Sequence, residues 1–467
     1  MNLVVDLVIK NGEICTPRGR LRAGIAIDEE KIVAITKEVN LPDADRTIDA
    51  SGKIIIPGFI DIETHIRDPG YTYKEDYTTA TMAAAAGGVT LPVSQPNIRP
   101  TPDTAKRFED HIKMAEKKAV TDFSVIANPK VIEEIPKIAK AGAPGFKFFM
   151  HLSRCDYPHP IDSFVDNDAE ILEIFEAVKK TGLFVGPHPG DYDIALHFEE
   201  KCMREGLNDP ISVKKYSKYR GLGTKIGVAR VIQIAKFVGN RLHIWHISQD
   251  RGTADMVRQG RAEGVNITCH TNVGGLYVWK SPPAPNPAWM FRDREWEGDA
   301  RALEKRLKGN WGALIDGTID AVGTDHAPHS NPELQGRFEN MWNAPSGVPR
   351  LQEYMSIFLT EVNKGTVPLE VVVRVNTENP AKILGVYPKK GAVQVGSDAD
   401  LAIIDMNVKQ VFTNDKVLSK CGWTNDEGRE VTGVPVYTIV RGNVVFEEGE
   451  VVGKPGYGRF VGPKKGP

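Results

Sequence analysis

The sequence predicts an α/β fold: a closed (β/α)8 barrel of the TIM type with a small β-sandwich built from both chain ends. Three observations lead there. Residues 54–385 alternate short strand runs with helical stretches, giving eight βα units. Most strand runs are continuously apolar, as strands covered on both faces are. Seven residues able to do chemistry, His65, Asn97, Lys147, His188, His246, His270 and Asp325, each close a different strand. A parallel barrel gathers all its strand C-termini on one face, so these seven are expected to converge. An open doubly wound sheet is the alternative, but it concentrates its site at one switch point.

The elements follow in order. Residues 1–53 read as short alternating strands separated by Gly and Asn turns. The eight barrel strands are IIIPGFIDIETH, GVTLPVSQPN, DFSVIAN, GFKFFMH, LFVGPH, LHIWHIS, NITCHT and AVGTDH. Helical patterns between them include DAEILEIFEAVKKTG, VARVIQIAKFVG and TADMVRQGRAEG. Residues 386–467 return to the β texture of the N-terminus and end in a tail. Each β-rich end is marginal as a core alone, so the two are expected to form one composite domain. The Pro- and Trp-rich stretch within 273–312 reads as a long loop over the barrel mouth or a packing or subunit contact.

The chain's 467 residues allow more than one small domain, and its formal charge of −2 gives no footprint for nucleic acid. Hydrophobic content of 41% and charged content of 26% are those of a soluble globular protein. No apolar run is long enough for a membrane span. The N-terminus has no basic n-region or cleavage site, so a cytoplasmic location follows by default. Five cysteines without a CxxC support neither a disulfide framework nor a cysteine-rich metal site.

Side-chain alternation puts Glu63 and His65 on one side of the first strand, where both can reach one ion. Lys147 lies in a strongly apolar strand, and a buried ammonium is costly unless paired or modified. Its neutral amine could add carbon dioxide and become a carbamate, or the ammonium could pair with Glu63 or Asp325. His188 and His246 offer imidazoles. His243, three residues before His246, is expected to face the other way. Asp325 could ligate a metal, act as a general base, or do both. His326 and His329 follow as possible partners. Arg67 either forks onto a planar carboxylate or ureide, with Asn97 beside it, or pairs with Asp68.

With these residues in place, the chain resembles the amidohydrolase superfamily. It is most similar to the cyclic amidohydrolases: dihydroorotase, hydantoinase, dihydropyrimidinase and allantoinase. The resemblance runs through PGFIDIETHIRDPG, AAAAGGVT, GFKFF, GTDHAPH, NPAKILG, VGSDADLAIID and VRGNVVFEEGE. It implies hydrolysis of a cyclic amide or imide C–N bond by a metal-bound hydroxide. It also implies two divalent ions, usually zinc (manganese being possible), bridged by a carboxylated lysine matching Lys147. His188 and His246 match ligands of the more exposed metal, and His65 and Asp325 those of the more buried one. Asp325 also matches the proton shuttle. Arg67 and Asn97 match positions that hold a substrate carboxylate in dihydroorotases. A homo-oligomer, dimer or tetramer, is expected, acting on a small cyclic amide.

Three positions depart from the family pattern. Its first motif is usually His-x-His, and here Glu63 stands in the first place, where it is expected to ligate the buried metal. Dihydroorotases usually carry a Glu and a Pro-His-His run after the seventh strand, where this chain has His270 and TNVGGL. The fifth-strand His188 is followed by Pro189-Gly190-Asp191 rather than a small residue and an acid. The rival reading is an inactive scaffold or partner subunit. Retention of Lys147, His188, His246 and Asp325 speaks against that. A deaminase of the superfamily would generally lack the carboxylated lysine.

Overall fold

The computed structural model describes residues 4–151, 163–209, 212, 216–248, 252–276, 300–335, 340–343, 345 and 347–463. The SPPAPNPAWMFRDREWEG part of the expected mouth loop lies outside the described residues.

Eight parallel strands form the barrel: Phe59–Thr64, Val89–Ser94, Ser124–Val125, Gly145–Phe149, Phe184–His188, Arg241–Ile244, Ile267–Asn272 and Ala321–Gly323. The first three pair in parallel, as do the last five. Two seams close the ring. Lys147 N donates to Ala127 O at 2.9 Å, joining the third strand to the fourth. Asp325 N donates to Glu63 O at 3.0 Å and His65 N to His326 O at 2.7 Å, joining the eighth to the first. The residues at this second seam are also site residues, so barrel closure brings the two ends of the site together.

Helices pack outside. Asp76, Thr104, Asn167 and Asp191 each accept a hydrogen bond from a first-turn backbone N–H and so fix where four of them begin. Side chains from the helices and outward strand positions, such as Ile171, Phe175, Val185, Val231 and Ile244, share the largest apolar core. Ile60, Ile62, Leu91, Val93, Phe184 and Trp245 pack with Ala381, Ile383 and Leu384 in a second core.

The composite sandwich has two sheets. One runs in the order Lys31–Thr36, Gly24–Asp28, Val4–Lys10, Asp43–Asp49. The other has seven strands and draws on both chain ends: Leu401–Val411 pairs antiparallel with Ile54–Pro57, which pairs in parallel with Glu13–Thr16. Ile9, Ile25, Ile27, Ile55, Leu401, Ile403 and Ile439 fill the space between the sheets. The boundary expected at 53/54 therefore falls four residues early. Ile54–Pro57 belongs to the sandwich sheet and the barrel begins at Phe59. One apolar run serves two sheets, and composition does not mark where the chain passes from one to the other.

The tail also returns to the barrel. Val461 N donates to Phe123 O at 2.8 Å, and Phe123 N donates to Arg459 O at 3.1 Å.

Candidate active site

Glu63 is the centre of the site. It is fully buried on the first barrel strand. Its Oε1 accepts from Lys147 Nζ at 2.8 Å and stands 3.3 Å from His246 Nε2. Its Oε2 accepts from His270 Nε2 at 2.9 Å. Burial alone would push the Glu63 carboxyl up. The charges of His246 and Lys147, with the imidazole hydrogen bonds, outweigh it and hold the carboxyl well below the usual range.

His65, two residues on, faces the other side of the site. Its Nδ1 lies 2.6 Å from Asn97 Oδ1, and its Nε2 lies 3.4 Å from Asp325 Oδ1. An amide oxygen takes only a donor, so Asn97 fixes the proton on Nδ1 and leaves the Nε2 lone pair towards Asp325. Asn272 spans the remaining gap, its Nδ2 at 3.2 Å from His246 Nδ1 and 3.4 Å from Asp325 Oδ2.

Two groups of possible metal donors result, Glu63 with His65 and Asp325, and Glu63 with His246 and His270. Ligands held tetrahedrally at about 2.0–2.1 Å stand about 3.3–3.4 Å apart. The His246–Glu63 and His65–Asp325 separations of 3.3 and 3.4 Å match that spacing. The donor set of carboxylate and imidazole suits zinc or manganese. His188 adds a buried Nδ1 without a hydrogen-bond partner among the described residues, its ring 4.6 Å from that of His246. Burial, then the neighbouring His246 and His151, hold His188 well below the usual imidazole range, so it is neutral and able to ligate. It stands outside both three-donor groups.

Lys147 is fully buried, with Nζ 4.2 Å from the Trp245 ring centre and 5.1 Å from that of Phe149. Arg67 is buried as well, and burial lowers its guanidinium to about 10. Its Nη2 is 3.4 Å from His329 Nε2, and His329 Nδ1 is 3.1 Å from Lys74 Nζ. The alternative Arg67–Asp68 surface pairing gives way, because both residues are buried and Asp68 takes Lys118 at 2.7 Å. His326 turns away to Glu75 at 3.3 Å, and its Nδ1 accepts from Arg350 N at 3.1 Å.

One orientation is corrected. His243 was expected on the face opposite His246, yet both look into the barrel. His243 Nε2 lies 3.1 Å from His270 Nδ1, and the two ring planes are 8° apart. His246 has φ 59, which breaks the two-residue alternation just where the count was made. Arg67 and Asp325 share this left-handed backbone, at φ 67 and φ 53. Strain of this kind collects at functional sites.

Sequence reasoning flagged His270 as a strand-end residue but left it, with Asn272 and His151, out of the site. His270 and Asn272 are two apart on one strand and so share a side, a signal that alternation offers. His151 lies one residue after Met150, with its ring 5.0 Å from His188.

Comparison with known proteins agrees with this geometry. The model of the amidohydrolase family matches residues 54–445. An L-hydantoinase of Paenarthrobacter aurescens is 30% identical over 460 residues, covering 98% of each chain. A dihydroorotase of Methanosarcina acetivorans is 31% identical over 467 residues, covering 98% of this chain and 95% of the relative. The solved structure of an L-hydantoinase (dihydropyrimidinase) from Arthrobacter aurescens superposes with a TM-score of 0.89 at 29% identity, covering 98% of this chain and 100% of the other. A family match across the whole barrel and relatives of full length place the chain in the amidohydrolase family.

Proposed function

We propose that the protein hydrolyses a C–N bond in a cyclic amide or imide, a hydantoin-, dihydroorotate- or allantoin-like ring, with two divalent ions, zinc or manganese, at the mouth of its barrel. The observation that carries this reading is the gathering of Glu63, His65 and Asp325 into one donor group with His246 3.3 Å from Glu63, at separations that fit metal ligation. Glu63, His65 and Asp325 would hold the deeper ion, and His188 and His246, with Lys147, the outer one. A divalent ion there supplies a nucleophilic water near neutral pH and polarises the amide carbonyl.

The chain's own residues supply the rest. Asp325 is half-buried at the site mouth, in reach of water and substrate. It takes a proton from the attacking water and returns it to the leaving ring nitrogen. Asn97 orients His65 through its Oδ1 and would bind a substrate carboxylate through its amide N–H groups. Arg67 offers its charge to a substrate carboxylate or ureide. Lys147 gives up its ammonium proton and adds carbon dioxide through the freed amine, giving a carbamate and releasing a second proton. That product places an anion beside Glu63, and only cations between the two offset the repulsion. Carboxylation and metal loading are therefore coupled.

The test is ring opening of hydantoin, dihydroorotate and allantoin by the zinc- or manganese-loaded protein and by Asp325→Asn. Turnover of at least one ring, falling about 10²-fold or more in the variant with metal retained, supports the reading. Failure on all three rings, or equal rates in the variant, overturns it.

A further inference from the structure

His270 and His243 are both fully buried in the barrel and take no part in the chemistry above. They form a hydrogen-bonded chain running from the barrel interior to Glu63. Thr268 Oγ1 is 2.9 Å from His243 Nδ1, His243 Nε2 is 3.1 Å from His270 Nδ1, and His270 Nε2 is 2.9 Å from Glu63 Oε2. A carboxylate only accepts, so His270 donates through Nε2–H. In the neutral ring its Nδ1 must then accept, which sets His243 as donor through Nε2–H. His243 Nδ1 in turn accepts the Thr268 hydroxyl proton. All three donors point towards Glu63, and bonds aligned in this way strengthen one another. The two rings lie nearly coplanar and end to end, with centres 5.3 Å apart and planes 8° apart, the alignment an N–H···N bond needs.

The distances separate two roles for His270. Its 2.9 Å to Glu63 is a hydrogen-bond length, shorter than the 3.3 Å between His246 and Glu63. Its other nitrogen is engaged by His243. His270 could ligate only by giving up its hydrogen bond to Glu63.

From this chain of donors we propose that His270, backed by His243 and Thr268, is a positioning residue that ties down Glu63 Oε2 and presents Oε1 alone to the metal. The inference rests on the reading of Glu63 as a metal ligand. Partners of this kind typically alter metal affinity 10- to 100-fold when removed.

The test uses full-length protein stripped of metal, titrated with Co²⁺ and Zn²⁺ against a chromophoric chelator, with visible absorption of the Co²⁺ form and X-ray absorption counts of imidazole ligands. His270→Leu is expected to weaken binding by about 10- to 100-fold and shift the Co²⁺ bands while the imidazole count stays the same. His270→Gln, which keeps an N–H donor, should recover part of the loss. His243→Gln should fall between wild type and His270→Leu. Wild-type affinity and spectrum in His270→Leu would overturn the proposal, as would loss of one imidazole ligand, which would make His270 itself a ligand. If His270→Leu does not fold, His243→Gln decides, and unchanged affinity and spectrum there overturn the proposal. Wild-type affinity in Glu63→Ala is a different result, and it would remove Glu63 as a ligand altogether.

Discussion

At the scale of single residues, burial decides which charges can stand alone. Lys147 and Glu63 are fully buried and 2.8 Å apart, so neither is tolerable alone. Lys147→Ala is expected to lose both metal and turnover, and short carboxylic acids supplied in solution should restore part of each. Retention of full metal content by this variant would remove Lys147 from the site. Arg67 is the residue on which ring preference turns. Arg67→Lys keeps the charge and loses the planar fork, so turnover of dihydroorotate or allantoin should fall more than that of an alkyl-substituted hydantoin. Wild type that opens only alkyl hydantoins, with an equally fast variant, would make Arg67 structural. The types and strand-end positions of these residues were legible in the sequence. The tie between Asn97 and His65 was not, because it joins residues that lie beyond the ends of two neighbouring strands.

The elements place these residues through their ends. Alternation put Glu63 and His65 on one side of the first strand, and the two do fall in one donor group with Asp325. The same rule misplaced His243, because the backbone turns left-handed at His246. No residue pattern announces that turn, since histidine, arginine and aspartate are not glycine. The sixth strand also depends on close approach to the fifth. Trp245 Nε1 donates to Gly186 O at 2.8 Å, and a Cβ at Gly186 would meet Trp245 Nε1 at 2.5 Å. Gly186→Ala should therefore displace Trp245 from its place over Lys147 and cost about 1–3 kcal/mol in stability. A lower melting temperature with weakened metal affinity is the expected result. A variant that melts and binds metal like wild type would show that the strand has slack.

On the scale of the whole molecule, barrel and sandwich are joined by buried charge. Lys390 Nζ lies 2.6 Å from Asp122 Oδ2 and 2.6 Å from Asp400 Oδ2, and Arg441 Nε lies 3.1 Å from Asp122. Asp122 precedes the third barrel strand, while Lys390, Asp400 and Arg441 come from the C-terminal part of the chain. Lys390→Met leaves buried carboxylates without this partner and should cost about 3–5 kcal/mol in a chemical unfolding experiment. The sequence told that the two ends share a domain, since each was too thin to fold alone. It did not tell of this lock, whose members lie far apart in the chain. A loss of stability in acid is expected from a separate source. Burial lowers His111 from 6.5 to about 3, with Tyr77 Oη 2.8 Å from its Nε2. The unfolded chain takes up a proton below pH 6.5 that the folded one refuses, so this contribution is present above pH 6.5 and lost as pH falls towards 3. His111→Gln should flatten the decline of stability on acidification by about 1.4 kcal/mol per pH unit. An unchanged slope would assign the acid sensitivity to other groups.

Whether paired ions at the barrel mouth open a cyclic amide is decided by a metal titration. Metal-free protein, supplied with bicarbonate, is assayed for ring opening while Zn²⁺ or Mn²⁺ is added in measured equivalents. No turnover is expected without metal, and a rise that levels off at two equivalents per chain. Turnover already complete in the metal-free protein, or none at any loading with any of the three rings, would contradict it.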